Sequence, residues 1–308
     1  MIKQLLVALL LSYSSPSLCQ HYFYNGLYYD NTATWEAGIT IGIMNCLTDL
    51  GGRTGSGKPF IKDLNWNQAQ FCTGLYTSLL YQYFAGARLE AAFGRVAAAD
   101  RVIKPDNSAA RHRYRRNLHF RSRIAELSLT TEFHPLTLLA RQSGKAAPLL
   151  SPYLLAGVGL FHFRPEANSG GQWVSLPGLH TEGQGFKDFP YRLPYKLTQV
   201  NFPVGVGLKY ELSALLNIRI EIIHRILSTD YLDDVSNRYI DPALFYTYLS
   251  PDKAALAAKL ADRRNELNVS NNAPVLTPSG SQRGNPQNND AYFSVVFKIG
   301  FILNRQRK

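Results

Sequence analysis

Gly52 and Gly57, with Lys58 after them, space their glycines as a nucleotide-phosphate loop does, with backbone amides to cradle phosphate and an ammonium to reach it. That pattern needs Ser or Thr after the lysine to hold magnesium, and Pro59 stands there. An alternating segment precedes it and no helix start follows, so it reads as a Gly-rich connection. His224, Ser228 and Asp230 come nearest to the nucleophile, base and acid that a lipid hydrolase would use, but nothing in their spacing is specific to that chemistry. His112, His119, His162 and His180 lack metal-ligand spacing. No catalytic residue, metal or cofactor is expected.

Basic residues crowd one stretch. Arg101, Lys104, Arg111, Arg113, Arg115, Arg116, Arg121 and Arg123 face only Asp100 and Asp106. Guanidinium groups pair bidentately with phosphate, which makes Arg111, Arg113, Arg115, Arg116, Arg121 and Arg123 candidate ligands for phosphorylated lipid. A solvated loop whose charges pair with other loops is the equal alternative. Cys46 and Cys72 are a candidate disulfide, since an oxidising export compartment permits pairing and their phases point both to one face. Two reduced, buried thiols are the competing reading.

The elements that must position these residues are strands. The chain has 308 residues, 45% hydrophobic and only 18% charged, with 18 Tyr and 16 Phe. Few charges and many aromatics point to a membrane, yet no apolar run past the N-terminus approaches the ~20 residues of a spanning helix. Lys3, the run Leu5 to Leu11 and the polar stretch around Pro16 have the layout of a secretory signal, expected over residues 1–19. The net charge of +11 is therefore no sign of nucleic-acid binding in an exported chain.

Eight later segments alternate with period two, as barrel strands must. In Trp35 to Cys46, Ala37, Ile39, Ile41 and Ile43 share one face, and Glu36, Gly38, Thr40 and Gly42 the other. Phe71 to Tyr81, Phe84 to Val96, Phe120 to Phe133, Tyr153 to Phe163, Thr198 to Tyr210, Leu216 to Arg225 and Ala291 to Leu303 complete the set; Tyr153 to Phe163 is apolar on both faces and leaves its facing open. Connections alternate between short and long, with long ones at about 47–70, 97–119, 164–197 and 226–290. The expectation is an all-β, eight-stranded antiparallel transmembrane β-barrel over residues 35–308 in the cell outer membrane. It has short periplasmic turns and long outer loops, and residues 20–34 form a periplasmic segment. Glu36, Arg88, Glu90, Glu126, Glu132, Lys209, Arg219 and Glu221 would then point into a lumen that side chains fill, so no diffusion pore is expected. Ser250 and Pro251 read as the N-cap and first residue of a short amphipathic helix running to about Leu267.

Several long stretches, in order, carry a resemblance: WEAGITIGIMNCLTDLGG, FIKDLNW, RRNLHFRSRIAEL, YLLAGVGLFHFRPEA, GQWVSLPGLHTEGQG, LTQVNFPVGVGLKYEL, STDYLDDVSNRYIDP and RGNPQNNDAYFSVVF. Through them the chain resembles the PorG-like outer-membrane β-barrel family of the type IX secretion system. The resemblance implies a non-enzymatic barrel that anchors or works with the periplasmic ring proteins, a lipoprotein and its partner; outer-membrane lipid is the other partner expected, from the charge of an exported chain. Periplasmic contacts would fall on His21 to Asp30, the short turns and Arg305 to Lys308. The alternative is a surface-binding or lipid-modifying barrel unrelated to secretion.

Overall fold

The computed structural model describes residues 32–51, 66–103, 108–144, 148–267 and 277–305. The expected signal peptide, the segment 20–31, the loop from Gly52 to Lys58, Lys104 and residues 306–308 lie outside them.

Eight strands close on themselves. They are β1 (Ala33–Leu47), β2 (Gln70–Tyr81), β3 (Ala85–Ala99), β4 (His119–Phe133), β5 (Leu150–Ser169), β7 (Thr198–Glu211), β8 (Leu216–Leu227) and β9 (Ala291–Ile302), while β6 (Gln172–Ser175) only lengthens β5 as a hairpin. Each is antiparallel to its neighbours in the order β4-β3-β2-β1-β9-β8-β7-β5, and β4 pairs β5 to complete the ring. Closure leaves no long unpaired edge, which backbone amides in a membrane require.

Period two sets the facing. Ile39, Ile41 and Ile43 of β1, Leu75 and Leu79 of β2, and Leu127 and Leu129 of β4 are exposed, whereas Glu36, Thr40, Glu126 and Glu132 on the same strands are buried. The apolar side chains thus form an outward belt and the charged ones an inward core, the inverse of a soluble barrel and the facing of a transmembrane one. Exposed Trp35, Tyr81, Phe133, Tyr210 and Phe301 ring the belt at the short-turn end, as an interfacial aromatic girdle would. The face of β5 left open by its sequence is settled by burial: Leu154, Val158 and Leu160 look out, while Tyr153, Leu155, Phe161 and Phe163 look in.

The short connections hold one element that alternation does not reveal. Between β4 and β5 the connection folds into a helix, α2 (Pro135–Gln142), with Pro135 pre-set for the first turn. The longer side carries α1 (Ser108–Arg116), α3 (Ala243–Tyr248) and α4 (Pro251–Ala261). Helix α4 begins where expected, after Ser250, but ends at Ala261; a separate 3-10 turn at Arg264–Glu266 follows. Ala254, Ala257 and Leu260 of α4 bury against Phe245, Phe186, Ile240 and Leu179, giving the outer loops an apolar core of their own.

Candidate functional site

Charges inside the barrel form one connected network at its short-turn half. Arg219 reaches Glu36 and Glu132, each at 2.8 Å, and Lys209 sits 3.2 Å from Glu36. Arg88 lies 2.8 Å from Glu132 and 2.6 Å from Glu221, and Lys298 pairs with Glu90 and Glu221. Four cations thus face four carboxylates. Tyr76 donates to Glu36 at 2.6 Å, and its ring fits because Gly38 and Gly300 stand opposite each other in register: a Cβ on Gly38 would lie 2.7 Å from that ring. One layer up, Arg225 pairs with Glu126 at 2.7 Å, and Tyr292 donates to the same carboxylate at 2.9 Å. Above that level Val96, Phe120, Ile124, Phe161 and Phe163 fill the lumen with apolar volume. All eight lumen charges read from the sequence are buried here, and Arg225 and Lys298 join them. Such a packed interior offers no continuous aqueous path.

Over the loop end the connections are knotted by buried ion pairs. Arg116, at the end of α1, grips Asp100 and also donates to the carbonyl of Asp49, while Asp100 accepts from the amides of Gly51 and Leu118. Arg283 pairs with Glu182 at 2.8 Å, and Glu182 accepts from the amides of Ser236 and Asn237. All four long connections therefore meet in one cap. The Asp100 carboxylate beside Arg116 raises the pKa of that guanidinium. Three other acids in the cap have no ion pair among the described residues. Burial pushes Asp230 up to about 9 and Asp233 up to about 8, each helped by repulsion from neighbouring aspartates, and Asp290 is raised well above the usual carboxylate range.

The cap disperses the arginines expected to act together on lipid phosphate. Arg116 is buried and committed to Asp100, so it is withdrawn from that set. Arg113 donates to the Gly51 carbonyl at 2.9 Å. Arg121 pairs with Glu166 at 2.8 Å and lies over the Trp173 ring, 3.9 Å from its centre. Arg111 and Arg115 are exposed on α1, and Arg123 is exposed on the outer wall of β4. The stretch is close in sequence but leaves the barrel by a helix and returns by a strand, which sends its side chains in different directions.

The expected disulfide is also corrected: Cys46 and Cys72 are both free and buried. Both do face inward, but Cys72 pairs with Gly42, four residues back along β1 from Cys46, which instead pairs with Tyr292 of β9. At ~3.3 Å per residue the offset is about 13 Å, beyond the ~7 Å between Cα atoms that a bridge allows. His224, Ser228 and Asp230 do not converge either. His224 lies on the outward face of β8, Ser228 hydrogen-bonds the Val200 carbonyl, and Asp230 is buried in the cap. Arg305, expected at a periplasmic contact, donates to the Ala214 carbonyl and to Tyr83, clasping two short turns. Among the described residues no group of His, Cys, Asp or Glu is arranged to hold a metal ion.

No protein-family model matches the chain, and no curated protein matches it. Solved structures similar to it include Neisserial surface protein A, at 7% identity and a TM-score of 0.39 over 89% of this chain and 100% of that one. Another is Ail, the attachment invasion locus protein of Yersinia pestis, solved with a heparin analogue, at 9% identity and a TM-score of 0.35 over 88% of this chain and 97% of that one. A third is OprG from Pseudomonas aeruginosa, at 10% identity and a TM-score of 0.32 over 88% and 95%.

Proposed function

We propose that the chain is a structural, non-enzymatic barrel of the bacterial outer membrane, working with the periplasmic ring proteins of a type IX secretion system. The observation that carries the structural part is the closed lumen: Arg88, Arg219, Lys209 and Lys298 are neutralised by Glu36, Glu90, Glu132 and Glu221 beneath a plug of aromatic rings. A filled interior suits an anchor and not a conduit. Support for the secretion partnership is the sequence resemblance. Deleting the gene is expected to abolish export of type IX cargo, and crosslinking in intact membranes is expected to capture the ring lipoprotein. Normal export in a clean deletion would rule the partnership out.

One observation favours a second reading, a surface-binding barrel. The loop end is a folded cap with its own apolar core, more structure than the turns at the other end carry. Under that reading the deletion strain exports normally, and substitutions on the cap alone change surface properties.

A further inference from the structure

Three arginines stand side by side on the outer wall. Arg95 of β3 is the cross-strand partner of Arg123 of β4, and Arg123 is in turn the partner of Arg164 of β5. All three are exposed, and the odd–even phase of each strand points them away from the lumen. Like charges directly opposite on neighbouring strands, with Cβ atoms ~4.5–5.5 Å apart, repel. Here two such pairs share the middle residue. Among the described residues no carboxylate lies within ion-pair distance of any of them: the nearby Glu166 is taken by Arg121, and the Arg164 guanidinium donates to the Ser175 hydroxyl at 3.1 Å.

Their height on the barrel identifies what could neutralise them. From the short-turn end the outward face of β4 runs Phe133, Thr131, Leu129, Leu127 and Ala125 before Arg123. The face of β3 runs Ala87, Leu89, Ala91 and Phe93 before Arg95, and that of β5 runs Leu154, Ala156, Val158 and Leu160 before His162 and Arg164. The apolar belt thus ends at one level on three adjacent strands. From Phe133 to Ala125 it rises about 27 Å along the strand, roughly 21 Å after a ~40° tilt, close to the ~25 Å band of such barrels. Cations begin where a lipid's acyl chains give way to its headgroup. On the opposite wall the apolar row runs on through Ile222 and Ile226 of β8, with no outward Lys or Arg among the described residues of β1, β2, β7, β8 or β9. The basic step is therefore one-sided, as a site is and a uniform belt of charge is not. A groove of about 840 Å³ opens at the same place, lined by the three arginines with His162 and the exposed rings of Phe71 and Phe93.

We propose that Arg95, Arg123 and Arg164 form a binding site for the phosphorylated headgroup of an outer-leaflet glycolipid, whose acyl chains lie along Phe93, Leu127 and Leu160. Planar guanidinium groups hold phosphate oxygens by paired, charge-assisted hydrogen bonds, and a phosphate between them removes the mutual repulsion. The site is distinct from the α1 arginines and includes two residues outside the basic stretch. It rests on the outer-membrane placement proposed above.

The test uses the full chain purified in detergent, with native mass spectrometry as readout. Bis-phosphorylated lipid A is expected to be retained about tenfold more than the same lipid after phosphatase treatment, a preference that a few charge-assisted contacts readily supply. The triple variant Arg95→Gln, Arg123→Gln, Arg164→Gln is expected to bring the two lipids within about twofold of each other, and Arg123→Gln alone to lose about threefold if the triple variant does not fold. Equal retention of both lipids by the wild type, or an undiminished preference in the folded variants, would overturn the site. So would inorganic phosphate that competes at equal concentration, since the ligand would then be a soluble anion. Fractionation keeps the two proposals apart: a chain absent from the outer membrane refutes the placement, whereas a chain present there without phosphate preference refutes only the site.

Discussion

Arg116 holds Asp100 through two parallel hydrogen bonds, Nε to Oδ2 at 2.8 Å and Nη2 to Oδ1 at 2.9 Å, with both residues buried. Other donors of the same guanidinium reach the carbonyls of Asp49 and Arg283, so one side chain joins three connections. Arg116→Leu strands the Asp100 carboxylate in a dry site, an imbalance that typically costs about 3–5 kcal/mol. Limited proteolysis should then open the loops between β8 and β9 while the barrel keeps its heat-resistant migration on gels. Adding Asp100→Leu should recover part of the loss, because it removes the orphaned charge. An unchanged proteolysis pattern would show that the knot does not hold the cap.

Arg219 tests the closed lumen in the same way. It bridges Glu36 and Glu132, so Arg219→Ala leaves two carboxylates short of a cation and should destabilise the barrel by about 3–5 kcal/mol. Wild-type protein in planar bilayers should show no steady conductance of general-porin size. Such a conductance in the wild type would refute the plug.

The strands were legible because one physical rule, lipid outside and packed side chains inside, writes period two into each of them. Ile39, Ile41 and Ile43 against Glu36 and Thr40 need no partner to be read. Tyr153 to Phe163 was ambiguous because β5 borders the aromatic plug, where inward positions are apolar too. Neither the cap nor the arginine row could be read in this way. Asp100 and Arg116 meet through loop geometry with no period, and Arg95, Arg123 and Arg164 become neighbours only through a register that no single strand contains. The same ignorance of register suggested the cysteine bridge.

Cys46 and Cys72 should therefore behave as two buried thiols. Native protein should resist alkylation, and protein unfolded without reductant should take up label at both positions in its mass spectrum. Substituting either by Ser should leave electrophoretic mobility under oxidising conditions unchanged. A species that labels only after reduction would restore the bridge.

Asp230 gives the cap a pH dependence whose sign is fixed. It is buried, its hydrogen-bond contact with Ser236 does not offset the cost of desolvating the charge, and Asp233 lies close enough to repel it. Its pKa is raised to about 9 and that of Asp233 to about 8, both above the ~3.9 of an unfolded aspartate. The folded cap therefore binds protons that the unfolded chain releases. The stability they contribute is complete below about pH 4 and is lost as pH rises through about 8 and 9. Amide exchange in the cap should accordingly be slower, after correction for the intrinsic rate, at pH 5 than at pH 9. Asp230→Asn removes one of these protons from the balance and should therefore stabilise the cap more at pH 9 than at pH 5. A variant that shifts both pH values equally would show that Asp230 does not titrate in this range, and that the cap neutralises its aspartates some other way.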